Sequence, residues 1–60
     1  MNANEYIQQL IEENNNQPSF DNLRHVAQNV STFCGVSIEE AFAIVEAHAI
    51  EIESAGLVAG

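Results

Sequence analysis

The six residues Gly35-Val36-Ser37-Ile38-Glu39-Glu40 constrain the fold of this chain more than any other segment. Glycine enters the left-handed conformation that ends a helix, and Val36 follows it with the apolar contact of a Schellman ending. Ser37 and Glu40 are spaced as a capping box, in which the serine hydroxyl bonds the Glu40 amide and the Glu40 side chain reaches back to Ser37. A helix stop followed at once by a helix start makes a helical hairpin.

The flanking patterns agree. Phe20, Leu23, Val26, Ala27, Val30, Phe33 and Cys34 fall on one apolar arc at helical spacing, with Asp21, His25, Gln28, Asn29 and Thr32 opposite. Capped by Ser19, they predict a helix over residues 20–34. The next helix is expected over 38–54, stopped by Gly56, with Leu57-Val58-Ala59-Gly60 left as a frayed or partner-docked tail. Upstream, Ile7, Leu10 and Ile11 predict a short helix over 4–13, with Asn2 or Asn4 as its cap and Glu5 in its first turn. Asn14-Asn15-Asn16-Gln17-Pro18 reads as a loop, because asparagines prefer turn hydrogen bonds and Pro18 disfavours helical geometry at Gln17. Nothing reads as a strand. The expected architecture is one all-α domain over residues 1–60, a small three-helix domain with a short helix folded against the hairpin.

A chain of 60 residues hides only about 60% of the surface that its unfolded form exposes, so shared burial in a dimer is a strong gain. Cys34 is the only cysteine and cannot form an intrachain disulfide, which points to a reducing compartment. Met1-Asn2-Ala3-Asn4-Glu5 has neither the basic region nor the apolar stretch of a signal peptide, so the expected location is the cytoplasm. The longest apolar run, Ala41 to Val45, is far short of the roughly 18 residues of a membrane span.

Projected as one straight helix, the third helix has two apolar faces. Ile38, Phe42, Val45, Ala49 and Ile52 form the expected core stripe. Ala43, Ala47 and Ile50, with Ser54 beside them, form a second strip that one small domain cannot also cover, and this strip is the expected homodimer interface. Glu39, Glu46 and Glu53 repeat every seven residues on one border of the strip, and Glu40 and Glu51 lie on the other.

Charge sets the expected partner. One basic residue against nine acidic ones gives a formal charge of −8. Direct nucleic-acid binding is disfavoured, because phosphates are neutralised by Lys and Arg and only Arg24 is available. The same deficit argues against a basic amphipathic helix for anionic lipid. Glu39, Glu46 and Glu53, about 10.5 Å apart at 1.5 Å per residue, have spacings that allow mimicry of a phosphate array. The expected function is therefore a non-enzymatic acidic inhibitor or regulator of a basic, nucleic-acid-handling protein, of a size and charge that suit a phage or mobile element. The competing expectation is an assembly subunit whose acidic face only keeps it soluble.

Catalytic and metal readings have little support. His48 and Glu51 stand three apart, the reverse of the Glu-x-x-His order of di-iron bundles. Cys34 lies on the apolar arc of its helix, almost opposite His25, so the pair does not form a nucleophile and base. No glycine-rich phosphate cradle, paired-cysteine zinc pattern or serine elbow occurs, and neither catalytic residues nor a cofactor are expected.

Gly35-Val36-Ser37-Ile38-Glu39-Glu40-Ala41 resembles the turn and second-helix start of ubiquitin-associated-like three-helix domains. That resemblance implies a peptide-binding helical domain. The chain departs from the pattern between Val45 and Ser54, where such domains turn again and no glycine, proline or asparagine is present here.

Overall fold

Asn2 starts the first helix, its Oδ1 accepting from the Glu5 amide at 2.9 Å while its Nδ2 donates to Glu5 Oε1 at 3.1 Å. The computed structural model describes residues 2–13 and 20–58, and the expected loop over 14–18 and the expected cap Ser19 lie outside them. The described residues form α1 (Ala3–Glu13), α2 (Leu23–Cys34), α3 (Ile38–Ala47) and α4 (Ala49–Ser54). The protein is a small all-α domain, with four helices among the described residues where three were expected.

The second helix begins three residues later than expected, at Leu23. The Phe20 amide donates to the Leu57 carbonyl at 3.0 Å, and Phe20 pairs with Val58 in an isolated parallel bridge, so Phe20 is unavailable to a helix. Asn22 is the cap instead, accepting from the His25 amide at 3.1 Å. At the other end Gly35 is left-handed, with φ 70°, and its amide reaches the Ser31 carbonyl at 3.1 Å. This is the simpler αL ending rather than the expected Schellman motif. The Ser31 hydroxyl donates to the Val36 carbonyl at 2.7 Å and holds the turn. Ser37 then caps α3, accepting from the Glu40 amide at 3.1 Å.

The expected continuous helix over 38–54 is interrupted at His48, whose φ of −107° and ψ of 12° leave the helical region. Its amide falls back to the Val45 carbonyl at 3.0 Å, and its carbonyl accepts the Ile52 amide at 2.9 Å and so starts α4. Local propensity does not cause this break. A straight helix over those residues would run about 25 Å at 1.5 Å per residue, nearly the 27 Å long axis of the molecule. Turning at His48 brings Ile52 and Leu57, both fully buried, back into the core.

The Schellman motif occurs at the end of α4. Gly56, with φ 75°, donates to Glu53, and Leu57 donates to Ile52 at 3.1 Å, with the apolar contact between Ile52 and Leu57 that the motif favours. Leu57 and Val58 are therefore part of the fold and not a frayed tail, while Ala59 and Gly60 lie outside the described residues.

The core comprises Ala3 and Ile7 of α1, Val26, Ala27 and Val30 of α2, Ala41 and Val45 of α3, Ile52 of α4, and Leu57. The principal pairing is α2 on α3, with α1 laid across both. Two expected core residues are displaced. Phe33 is 69% exposed and stacks on Tyr6 of α1 with ring centroids 5.8 Å apart, and Ile38 is 45% exposed. Burial on α3 centres on Ala41 and Val45, one edge of the predicted stripe. Tyr6 Oη also accepts from Asn29 Nδ2 at 3.1 Å, which ties α1 to α2. No helix among the described residues is long and apolar enough to cross a membrane.

Leu57→Ala should cost about 2–5 kcal/mol, against the roughly 3–5 kcal/mol that a core of this size supplies. Chemical denaturation should find the variant largely unfolded at 25 °C; a midpoint equal to that of the parent would show that the C-terminal segment does not hold the core.

Candidate partner-binding groove

An open groove forms where the starts of α2 and α3 meet the C-terminal segment. Leu23, Ile38, Phe42 and Val58 supply its apolar surface, in a volume of about 1190 Å³. Each of the four is placed by its local structure. Leu23 and Ile38 are the first residues of α2 and α3, Leu23 partly buried against the core and Ile38 45% exposed. Phe42 sits one turn beyond Ile38 on the same side. Val58 follows the buried Leu57, is partly buried against the core, and is held by its bridge to Phe20.

The polar part of the lining is Asn22, Arg24, Glu39 and Glu53. Asn22 Oδ1 is already engaged with the His25 amide. Arg24, Glu39 and Glu53 are exposed. The groove is larger than the roughly 300–1,000 Å³ of typical small-molecule sites and opens to solvent, which suits a macromolecular segment better than a compact ligand.

The structure distributes the expected acidic residues differently from a straight-helix projection. Glu39, Glu40 and Glu46 are on α3, whereas Glu51 and Glu53 are on α4, beyond the break at His48. The regular spacing therefore extends only from Glu39 to Glu46. Glu53 instead joins Glu39 at the groove, an arrangement that no single projection predicts. All five glutamates are exposed, but Glu51 is partly engaged, accepting from Gln8 Nε2 of α1 at 3.4 Å.

The expected dimer strip is likewise split, with Ala43 and Ala47 on α3 and Ile50 and Ser54 on α4. All four are exposed, and Ile50 is 81% exposed. The fold thus leaves this apolar surface uncovered by its own chain.

His48 and Glu51 do meet, with Nδ1 3.5 Å from Oε1. The His48 imidazole is mostly covered, and its Nε2 donates to Asn4 Oδ1 at 2.9 Å. Nδ1 is buried without a hydrogen-bond partner among the described residues. Together with the bond from Gln8 to Glu51, these contacts fasten α1 to the α3–α4 junction. His25 lies beside Asp21 at 3.4 Å on the exposed side of α2, and Cys34 is half-buried against the core. Among the described residues no three His, Cys, Asp or Glu side chains converge as a metal-binding group.

Comparison with known proteins adds no relative: no protein family, curated protein or solved structure matches the chain.

Sequence reasoning missed the groove because it assigned Ile38 and Phe42 to the core stripe, Leu23 to the apolar arc of α2 and Val58 to the tail. One signal was available. The third helix carries more large apolar residues than a helix of its length can cover with one partner, and Ile38, beside the cap, is the one that a facing helix reaches least.

Asn4→Ala removes the acceptor for His48 Nε2 and should lower stability by about 1 kcal/mol, or roughly 4–8 °C in Tm for a domain of this size. Asn4→Ala in a His48→Ala background should cost clearly less if the two side chains are coupled; equal losses in both backgrounds would show that they are not.

Proposed function

We propose that this is a non-enzymatic acidic interaction protein of the cytoplasm, an inhibitor or regulator that engages a basic surface on a nucleic-acid-handling protein. The observation that carries this reading is the exposure of Glu39 and Glu53 beside an open apolar groove, in a chain whose formal charge is −8. Exposed carboxylates steer a basic partner and set register, while apolar contact supplies affinity that salt does not screen. Glu46, exposed between them in sequence, extends the acidic surface. Such a surface competes with phosphates for a basic groove without binding nucleic acid itself. The lone, half-buried thiol of Cys34 suits a reducing compartment.

A panel of basic nucleic-acid-binding domains, each loaded with a labelled oligonucleotide, tests this reading. The protein should displace the oligonucleotide from at least one domain. Changing Glu39, Glu46 and Glu53 together to Gln should weaken that complex by more than about tenfold, or 1.4 kcal/mol, and flatten its salt dependence. Glu40 is left in place because it stands beside the Ser37 cap, where a change would mix stability with binding. No displacement from any domain, or displacement unaffected by the triple substitution, rejects the reading.

The exposed strip of Ala43, Ala47, Ile50 and Ser54 supports a second reading, self-association as a homodimer or assembly subunit. Ile50, at 81% exposure, is the observation that favours it. Ala47→Glu and Ile50→Glu should each convert a concentration-dependent dimer to monomer in sedimentation equilibrium. A parent chain that is monomeric at millimolar concentration rejects this reading and leaves the first untouched.

A further inference from the structure

Resting on the acidic-partner reading above, we infer that the groove formed by Leu23, Ile38, Phe42 and Val58 takes one amphipathic α-helix of a partner protein, with apolar residues on one face and Lys or Arg beside them. Ile38 and Phe42 stand one turn apart on α3 and form a short apolar ridge, with Leu23 and Val58 completing the surface. A partner helix presents side chains to such a surface at i, i+3, i+4 and i+7.

Backbone chemistry favours a helix over an extended segment. Extended peptides gain affinity by adding to a free strand edge, and among the described residues the only strand-like pairing is the single Phe20–Val58 bridge. A helix satisfies its own amides and carbonyls and needs only side-chain contact. Charge determines the flanks. Glu39 and Glu53 outnumber Arg24 in the lining, and the field of the whole chain has the same sign as the glutamates. A second copy would bring another eight negative charges to this rim, so it is the poorer occupant. Arg24 is the exception on the wall, and it favours the negative, carbonyl-bearing end of the bound helix.

The test uses designed peptides of about four helical turns, long enough for an amphipathic helix to form on the surface. One has leucines at i, i+3, i+4 and i+7 flanked by lysines, a second has the same leucines flanked by glutamates, a third scrambles the first, and a fourth carries a central proline that forbids the helix. Binding is read by fluorescence anisotropy and by amide chemical shifts of the labelled protein. The lysine peptide should bind at least about tenfold more tightly than the other three, with shifts centred on Leu23, Ile38, Phe42 and Val58.

Ile38→Glu should weaken binding by about tenfold or more, and circular dichroism should show an intact fold, since a first-turn glutamate suits a helix. Val58→Asp provides a second measurement, on a lining residue outside α3, should the start of α3 be disturbed. Glu39→Gln with Glu53→Gln should cost about fivefold and flatten the salt dependence, whereas Glu46→Gln, outside the lining, should change little. Equal binding of the scrambled or proline peptide, shifts centred elsewhere, or indifference to both Ile38→Glu and Val58→Asp overturns the proposal. Self-association abolished by Ile38→Glu overturns it in favour of a second copy. Binding that is lost in the triple Gln variant but indifferent to Ile38→Glu rejects the groove and leaves the acidic-face reading standing; failure of both the peptides and the basic domains rejects both.

Discussion

The contact between Ile52 and Leu57, closed by the amide of Leu57 on the carbonyl of Ile52, holds the rest of the structure in place. Gly56 makes it possible, because only a left-handed residue reverses the chain there at low cost. With Leu57 inside, its carbonyl faces the Phe20 amide, and that bond keeps Phe20 out of α2. Asn22 then becomes the cap and Leu23 the first helical residue, and Leu23 and Val58 both line the groove. The groove is thus a consequence of how the chain closes, and loosening Leu57 would open both core and groove together.

Charge acts on this small core from outside. Among the described residues the close acid–base contacts are His25 with Asp21 at 3.4 Å and His48 with Glu51 at 3.5 Å, and neither involves a lysine or arginine. The carboxylates of α3 and α4 therefore repel one another with little compensation, which works against compactness. A partner that brings cations to Glu39 and Glu53 would relieve that repulsion while covering Ile38, and the two effects favour the same surface.

The interruption at His48 shows the limit of local reasoning. Nothing from Val45 to Ser54 is a helix breaker, yet His48 leaves the helical region and its Nε2 bonds Asn4, forty-four residues away in sequence. Projections that treated 38–54 as one rod placed Glu53 in line with Glu39 and Glu46, and Ile50 in line with Ala43 and Ala47. The bend leaves Glu39 and Glu46 on one helix and Glu53 on the next, and separates Ala43 and Ala47 from Ile50 in the same way. Peptide propensities describe a helix in water, and they carry no term for the burial of Ile52 and Leu57 that the bend permits.

Sequence by itself determined the all-α class, the start of α3, the glycine stops at Gly35 and Gly56, and the Ser37 cap. Those features depend on bonds spanning a few residues, so the responsible side chains are adjacent in the chain. Tertiary structure decided the late start of α2, the split of the last helix, the capture of Leu57, and the exposure of Ile38 and Phe33. Each of these turns on contacts between residues far apart in sequence: Phe20 with Leu57, Asn4 with His48, Tyr6 with Phe33. Apolar periodicity identifies which residues seek cover, but so small a core cannot cover them all, and only the packing of the helices selects those left at the groove.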